Sequence, residues 1–352
     1  MPSSGSWAMW FVLLTVLSAV LTRLALGYAR SRRLLDQPGQ RRSHVVPTPR
    51  GGGIAIVATV VVSVPFLAWK ATSLAWIVVL ALLAVAGIGW LDDHRPQPVI
   101  RRLLIHTLAA LALALALPAP GMLSPALAWL FIAVCVVFLV ACINAWNFMD
   151  GSHGLLASQC LWLGVVLGVW ALLSHASVSS WTGLAWVSAA ACLGFLPFNF
   201  PRAAIFLGDV GSGALGLLGG LLLWMAWVTE PAQGWALVLL PSALLVDASL
   251  TLASRIVSGR RWYTAHREHL YQWLIRSGRS HAQVAMLYMA WNLGVVVPAL
   301  AAMQVWPARA ASVAVAVLWL ACGLWWFGKR AILTHRRARG RGIDPARGQG
   351  RN

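Results

Sequence analysis

Four aspartates of this chain stand in short polar motifs that border long apolar segments. Only nine of the 352 residues are acidic. Asp92 and Asp93 end the motif GWLDD, Asp150 lies in NAWNFMDGSHGL, and Asp209 lies in NFPRAAIFLGDVGSG. Glycines surround the last two, and a glycine-rich turn that opens a helix offers backbone N–H groups to phosphate. Carboxylates beside phosphate favour Mg²⁺, which takes oxygen ligands and bridges protein to substrate phosphates.

Each acidic motif alone also has a structural interpretation. Asp150 and Asp209 stand at predicted helix starts, where a carboxylate accepts orphan backbone N–H groups as an N-cap. The Asp pair of GWLDD stands at a predicted helix C-terminus, where the macrodipole disfavours anions and two like charges repel. A neighbouring cation would relieve this repulsion, and Arg101 and Arg102 are the candidates.

Two further motifs carry imidazoles and arginines. HREHLYQ contains His266 and His269, whose i, i+3 spacing on a helix would put both rings on one face. Its residue order differs from the HExxH of zinc proteases, so contact with phosphate or proton transfer is the predicted role. RRSHVVPTPRGGG (41–53) contains His44 and several arginines before three glycines. That combination suits either an anion site or a flexible basic loop.

The elements that must position these motifs are membrane-spanning helices. The chain is 60% hydrophobic and 10% charged, with a mean hydropathy of +0.75, whereas a soluble domain is about a quarter charged. Apolar runs recur along the whole chain, and about 20 apolar residues cross the ~30 Å hydrocarbon core as a helix. The sequence therefore predicts an all-α polytopic integral membrane protein with about eleven transmembrane helices (10–11).

The predicted spans follow one another with short connections. They are 7–28, 51–69, 74–91, 103–117, 125–143, 154–173, 181–198, 211–229, 235–253, 284–304 and 310–328. Residues 1–330 are predicted to form a single transmembrane catalytic domain, and 331–352 to form a basic, disordered cytoplasmic tail.

Basic residues divide unevenly between the two sets of connections. Of the 27 Lys and Arg, 24 lie after odd-numbered spans or in the C-terminal tail. Because basic loops are retained in the cytoplasm, this side is predicted to be cytoplasmic and the N-terminus to lie outside. The five motifs all lie on this side. The net charge of +18 thus indicates orientation and attraction to anionic membrane lipids, and its scatter over short loops argues against nucleic-acid binding.

Together the motifs indicate phosphoryl transfer at one face of the membrane. Four aspartates with imidazoles and arginines suit a divalent metal and a diphosphate, and in such sites positioning and charge neutralisation supply most of the catalysis. Asp247 lies inside the ninth predicted span, where an ionisable group is a functional candidate. A non-catalytic transporter is the alternative from another class, but its polar residues would gather near the midplane, and here Asp247 is the exception.

In this order the five motifs resemble those of the polyprenyl-phosphate N-acetylhexosamine-1-phosphate transferases, glycosyltransferase family 4. The matching segments are 41–53, 89–93, 144–155, 199–213 and 266–272. NFMDG and the HREHLYQ loop look closer to the enzymes that initiate O-antigen synthesis than to the peptidoglycan translocase. The resemblance implies transfer of N-acetylhexosamine-1-phosphate from a UDP-N-acetylhexosamine to undecaprenyl phosphate, with release of UMP, at the cytoplasmic face of the bacterial inner membrane.

The resemblance also implies a role for each site residue. Catalysis is expected from Asp92, Asp93, His266 and His269, with one of the two aspartates as a base on the lipid phosphate. Mg²⁺ is expected on Asp209 and Asp93, with Mn²⁺ as the alternative cofactor. The predicted substrate-binding residues are His44, Asn147, Asp150, His153, Asn199, Phe206 and Arg267.

Several points stay open at this level. Phe206 is expected to stack on uracil, and many family members carry an Asp where this chain has His153, so an altered donor preference is expected there. The lipid phosphate would attack the sugar-linked phosphorus directly or through a phospho-aspartate. The identity of the N-acetylhexosamine is undefined, and phospho-N-acetylmuramoyl-pentapeptide transfer in peptidoglycan synthesis is the alternative within the enzyme class. A homodimer is a further expectation from the resemblance.

Overall fold

The computed structural model describes most of the chain as helix. It describes residues 4–36, 47–67, 72–117, 124–173, 180–261 and 266–341, with the backbone alone for 4–7 and 335–341. The helices are α1 (Ser4–Ser31), α2 (Gly53–Ser63), α3 (Thr72–His94), α4 (Val99–Ala116), α5 (Pro125–Met149), α6 (Leu155–Leu173), α7 (Ser180–Asn199), α8 (Asp209–Thr229), α9 (Gly234–Leu239), α10 (Ser242–Val257), α11 (Leu270–Arg276), α12 (His281–Trp291), α13 (Val297–Val305) and α14 (Ala310–Arg341). A two-residue antiparallel pairing joins β1 (Leu35–Asp36) to β2 (Thr48–Pro49).

The helix lengths confirm an all-α polytopic membrane protein. Within the described ranges nine spans are long and apolar enough to cross a membrane, or ten when the bent pair α9–α10 counts as one. The second predicted span, 51–69, is the one that does not reach the length of a membrane span. The eleven residues of α2 pass into a three-residue 3₁₀ turn, Val64–Phe66, which carries Pro65. The apolar pattern continues through this proline, but its missing N–H ends the α-helix.

Although α2 is short, the chain passes from one end of the bundle towards the other along it and returns along α3. A Cβ on Gly53, at the start of α2, would lie 2.2 Å from the Cα of Gly211 in the first turn of α8. A Cβ on Gly89, near the end of α3, would lie 2.3 Å from the carbonyl oxygen of Asp209. The beginning of α2 and the end of α3 therefore lie at the same end of α8, and we call this end the loop side.

α8 forms the centre of the bundle. Every residue from Val210 to Ala226 is buried, as expected for a helix that is apolar on all faces. Its glycines allow neighbouring backbones to come close, since a Cβ on Gly216 would lie 2.6 Å from the Cα of Ile143 in α5. The outer helices α1, α5 and α14 have few buried residues and suit contact with lipid. Asp209 is the first residue of this central helix and therefore lies at the centre of the loop side.

The ninth predicted span, 235–253, is bent. α9 and α10 meet at an angle of 72°, and Pro241 lies at the bend. Asp247 on α10 is buried and turns towards α11, α12 and α14. At the other end of the chain, α14 continues through Arg341, into the predicted tail. The division between domain and tail stays a prediction.

Candidate active site

The end of α3 and the start of α8 are joined by a carboxylate. The side chain of Asp93 accepts hydrogen bonds from the backbone N–H groups of Asp209 (3.1 Å) and Val210 (3.2 Å). A carboxylate at this position satisfies orphan helix donors and complements the helix dipole. Asp93 is 4% exposed, and Arg50 donates to its backbone carbonyl. Asp93 therefore caps α8 and positions Asp209.

Asp92 and Asp209 are neighbouring acidic groups in the site. Arg102 Nη1 lies 2.8 Å from Asp92 Oδ2 and 3.1 Å from Asp209 Oδ2, and the two carboxyl groups are within hydrogen-bonding reach of each other. The other oxygen of Asp92 accepts the N–H of Gln97 at 2.6 Å. Arg102 is one of the two arginines predicted to relieve the repulsion between Asp92 and Asp93. In the structure it bridges Asp92 to Asp209.

Asn147 holds Asp209 from the side of α5. Its amide nitrogen lies 3.0 Å from Asp209 Oδ1 and 2.8 Å from Ser212 Oγ. Asn147 therefore fixes the rotamer of a carboxylate that Arg102 holds at its other oxygen. Arg102 reaches Asp209 from α4 and Asn147 reaches it from α5, so two helices hold this carboxylate.

A cavity of about 250 Å³ opens beside this carboxylate cluster. Its described lining contains several acidic, imidazole and amide side chains together with backbone of the glycine-rich turns. The lining residues are Asp36, Arg50, Asp93, Asp150, Gly151, Ser152, His153, Asn199, Phe206, Leu207, Gly208, Asp209, Gln272 and His281. Polar side chains that converge on a concave site are typical of a ligand site.

Asp150 lies at the end of α5 and faces this cavity. Burial raises its pKa well above the usual range of a carboxyl, and the nearby carboxylates of Asp209 and Asp93 raise it further. It follows α5 rather than opening α6, so the predicted N-cap interpretation is wrong in position: Asp150 is the C-terminal flanking residue of α5.

Three rings form one wall of the cavity. The rings of His153 and His281 are parallel, with centroids 3.9 Å apart and an interplanar angle of 7°. The ring of Phe206 lies 5.2 Å from that of His153 and is tilted by 36°. Ser152 Oγ and His281 Nδ1 are 3.2 Å apart and share a hydrogen bond. The predicted residues Phe206 and His153 are thus neighbours, and α12 supplies a third ring.

Asn199 connects two of the loops that line the cavity. Its side-chain oxygen accepts the N–H of Gly154 at 2.7 Å, and its amide nitrogen donates to the carbonyl of Ile205 at 2.8 Å. Asn199 is 5% exposed. These bonds give it a structural role, and its predicted contact with substrate stays a prediction.

The two histidines of HREHLYQ are not among the described residues that line this cavity. His266 and His269 are neighbours, with ring centroids 4.9 Å apart, and both rings lie against Phe148. The prediction that a helix places them on one face is wrong, because α11 begins at Leu270 and His269 is its N-cap. The helix starts there because Asp247 accepts the N–H groups of Leu270 (2.7 Å) and Tyr271 (3.2 Å).

Desolvation dominates the electrostatics of these two imidazoles. Burial lowers the pKa of His266 to about 4, and the neighbouring His269 and Arg255 lower it further. Burial also lowers the pKa of His269, against the opposing effect of Asp247. Both rings are therefore neutral at neutral pH, which suits hydrogen bonding more than ion pairing with phosphate.

The remaining predicted residues fall elsewhere. Arg267 lines a second cavity, with Glu268 and Lys329. His44 lies outside the described residues.

Sequence reasoning gave no role to several lining residues of the first cavity, among them Gln272 and His281. Gln272 ends the HREHLYQ motif, and His281 follows it in α12. His281 carries no local signature; only the packing of α12 against α6 brings it to His153.

The donor set fits Mg²⁺ even though it is small. In the described part of the chain no three acidic, imidazole or thiol groups converge as metal ligands. Mg²⁺, however, is usually held by one or two carboxylates together with water and substrate phosphates. Asp92 and Asp209 provide two carboxylates in mutual contact, with Arg102 as their shared cation. Because the carboxylates of Asp92 and Asp209 are so close to each other, they favour the binding of a further positive charge.

Comparison with known proteins finds relatives that cover most of the chain. The family model described as glycosyl transferase family 4 matches residues 75–226. The decaprenyl-phosphate N-acetylglucosaminephosphotransferase of Mycobacterium leprae is 31% identical over 324 residues, covering 79% of this chain and 80% of that protein. The phospho-N-acetylmuramoyl-pentapeptide-transferase of a Synechococcus species is 32% identical over 276 residues, covering 72% of this chain and 75% of that protein.

The spanning helices and these relatives together define a multi-pass membrane enzyme that transfers a sugar phosphate to a polyprenyl phosphate. The chain belongs to glycosyl transferase family 4, the polyprenyl-phosphate N-acetylhexosamine-1-phosphate transferases. This assignment supports the enzyme over the transporter that the sequence left as an alternative.

Proposed function

We propose that the protein transfers N-acetylhexosamine-1-phosphate from a UDP-N-acetylhexosamine to undecaprenyl phosphate. An oxygen of the lipid phosphate forms a bond to the sugar-linked phosphorus, the diphosphate bond of the donor breaks, and UMP leaves. No proton needs to be removed from a phosphate oxygen that is already ionised. This favours direct attack, in which the protein positions the two phosphates and neutralises their charge.

The observation that carries this proposal is the convergence of Asp92 and Asp209 at the start of α8, beside the cavity. Their carboxyl groups share Arg102, and Asn147 orients Asp209. We propose that Asp209 and Asp92 hold Mg²⁺, or Mn²⁺ in its place. Asp93 becomes a positioning residue, because each of its oxygens already accepts a backbone N–H of α8. The ion supplies positive charge to the diphosphate when bound.

The other cavity residues suit the donor nucleotide. The wall of Phe206, His153 and His281 offers a ring face to uracil, and stacking on an aromatic ring is worth about 0.5–1.5 kcal/mol beyond buried area. Asp150 and Arg50 line the same cavity near the expected diphosphate. His266 and His269, which lie beyond Phe148, act on the sugar.

The names of relatives support N-acetylglucosamine as the sugar. Two mycobacterial relatives, from M. leprae and from M. tuberculosis H37Rv, are N-acetylglucosaminephosphotransferases that use decaprenyl phosphate. We propose UDP-N-acetylglucosamine as the donor and initiation of an O-antigen or related cell-envelope glycan as the role. The bacterial relatives favour the bacterial inner membrane, and the basic loops favour a cytoplasmic loop side.

A donor panel tests the reaction. Purified protein with Mg²⁺ and undecaprenyl phosphate should release UMP from UDP-N-acetylglucosamine, and EDTA should abolish this release. Asp209→Asn should lower turnover by about 10²-fold or more, as loss of a main charge-stabilising group does. Glu230→Gln is the matched control, because Glu230 flanks the opposite end of the same helix. Equal turnover in the two variants, or no UMP from any UDP-N-acetylhexosamine, would contradict the proposal.

Transfer of phospho-N-acetylmuramoyl-pentapeptide is the second candidate. The Synechococcus relative carries that name, as does a relative from Halalkalibacterium halodurans with 28% identity. UDP-N-acetylmuramoyl-pentapeptide therefore belongs in the donor panel, and a kcat/KM that exceeds that of UDP-N-acetylglucosamine would favour this candidate.

A further inference from the structure

A second cavity lies on the loop side between the ends of α10 and α14. Its volume is about 610 Å³. None of its described lining residues also lines the carboxylate cavity. They are Ser254, Ser258, Arg260, Arg267, Glu268, Trp273, Arg276, Lys329 and Leu333.

The charge of this lining is strongly positive. It contains four cationic side chains and one acidic side chain, Glu268. Oε1 of Glu268 is already shared by Arg255 (2.6 Å) and Arg260 (2.9 Å). The cavity therefore keeps an excess of positive charge, which a ligand with several anionic oxygens would balance.

Two of the cations are seated on indole rings. The guanidinium of Arg276 lies 4.1 Å from the ring centroid of Trp273, and Nζ of Lys329 lies 4.5 Å from that of Trp325. Such stacking holds a cation in place before a ligand arrives. Tryptophan is also enriched at the level of lipid headgroups, and Trp273 lines the cavity.

The surface next to the cavity is apolar and exposed. The last two residues of α10, Ile256 and Val257, are 53% and 88% exposed. In the chain they lie between the lining residues Ser254 and Ser258. An apolar surface beside a basic cavity fits a ligand that has acyl chains as well as phosphate. Soluble phosphate would use only the cations.

We propose that this cavity binds the phosphate headgroup of an anionic glycerophospholipid, with Arg276 and Lys329 as its main cations. Basic pockets between transmembrane helices take such headgroups. The lipid is not consumed, and the site is independent of the sugar donor. Because Arg267 and Glu268 precede His269 directly, a bound headgroup also stabilises the segment that carries the two histidines.

Lipid binding by the full-length purified protein tests this site. Native mass spectrometry would measure the apparent Kd for phosphatidylglycerol and for phosphatidylcholine with the same acyl chains. Arg276→Gln/Lys329→Gln should weaken phosphatidylglycerol binding by about 30-fold, and each single variant by about fivefold, since one basic residue near the surface contributes about 1 kcal/mol. The matched control is Arg30→Gln/Arg279→Gln, which removes two exposed arginines outside the cavity.

The outcomes separate a built site from general attraction. A change of less than twofold in the control supports the proposal, and an equal loss in both double variants overturns it. Equal binding of phosphatidylcholine also overturns it. Displacement of the lipid by millimolar inorganic phosphate would identify a soluble-phosphate site and overturn the lipid assignment. The single variants decide the question if the double variant does not fold, as judged by its thermal midpoint.

Discussion

The ring of His153 is stacked on the ring of His281, with centroids 3.9 Å apart and planes 7° from parallel. The two residues belong to distant parts of the chain, the turn before α6 and the first turn of α12. Their contact joins the turn after NFMD to the C-terminal helices at the wall of the carboxylate cavity. The pair therefore links the shape of this wall to the packing of α12.

We predict that the two histidines act together on donor binding. His153→Ala and His281→Ala should each raise the donor KM by about 2- to 13-fold, the range that corresponds to an aromatic contact of 0.5–1.5 kcal/mol. The double variant should raise KM by less than the product of the single effects, because each single change already removes the stacked pair. Steady-state kinetics of all four proteins gives the coupling. Strictly multiplicative effects on KM would show that the stacking does not matter for the donor.

Close packing of α3 against α8 gives a second prediction. A Cβ on Gly89 would lie 2.3 Å from the carbonyl oxygen of Asp209, whereas a Cβ on Gly87 would meet nothing within 4 Å. Gly89→Ala should therefore destabilise the protein by about 1–3 kcal/mol and reduce turnover by displacing Asp209. Gly87→Ala is the control in the same helix and should change neither. Thermal midpoints and UMP release test this, and equal behaviour of the two variants would contradict the observed packing.

The part of the site that the sequence predicts is the part with local signatures. Asp92, Asp150, Asp209 and Phe206 stand in motifs with glycines and short polar runs, and α3, α5 and α8 bring them to one end of the bundle. The hydrogen bonds between the carboxylate of Asp93 and the backbone of α8 have no local signature. They depend on the crossing of α3 and α8.

The residues that sequence reasoning misplaced depend on tertiary contacts. An i, i+3 spacing predicts that His266 and His269 share a helical face, but the helix begins after them because a buried acceptor holds the N–H groups of Leu270 and Tyr271. His281 has no motif of its own. Its position follows from the packing of the helices that come after Asp247, and periodicity carries no information about such packing.

The pKa of His266 gives a prediction for the pH dependence of stability. Burial, with His269, Arg255 and Lys329, lowers this pKa to about 4, with Glu268 opposing. The unfolded chain binds a proton near the ordinary pKa of about 6.5, so the unfolded state gains protons first on acidification and stability falls between about pH 6.5 and 4. His266→Gln should show a smaller fall in thermal midpoint over this window than the unaltered protein. Identical falls would show that His266 makes no such contribution.

Asp247 is predicted to be a positioning residue for the His266–His269 segment. Besides two backbone N–H groups of α11, it accepts Tyr288 Oη at 2.7 Å, Trp325 Nε1 at 2.9 Å and Thr251 Oγ1 at 3.2 Å. Asp247→Asn places an amide donor against these donors and should lower the free energy of unfolding by about 2 kcal/mol or more. Tyr288→Phe removes one donor and leaves the carboxylate, so its cost should be about 1 kcal/mol. If the segment depends on the carboxylate, hydrogen exchange at Leu270 and Tyr271 will accelerate in Asp247→Asn and stay nearly unchanged in Tyr288→Phe. Unchanged exchange in both would assign Asp247 to the packing of α10 alone.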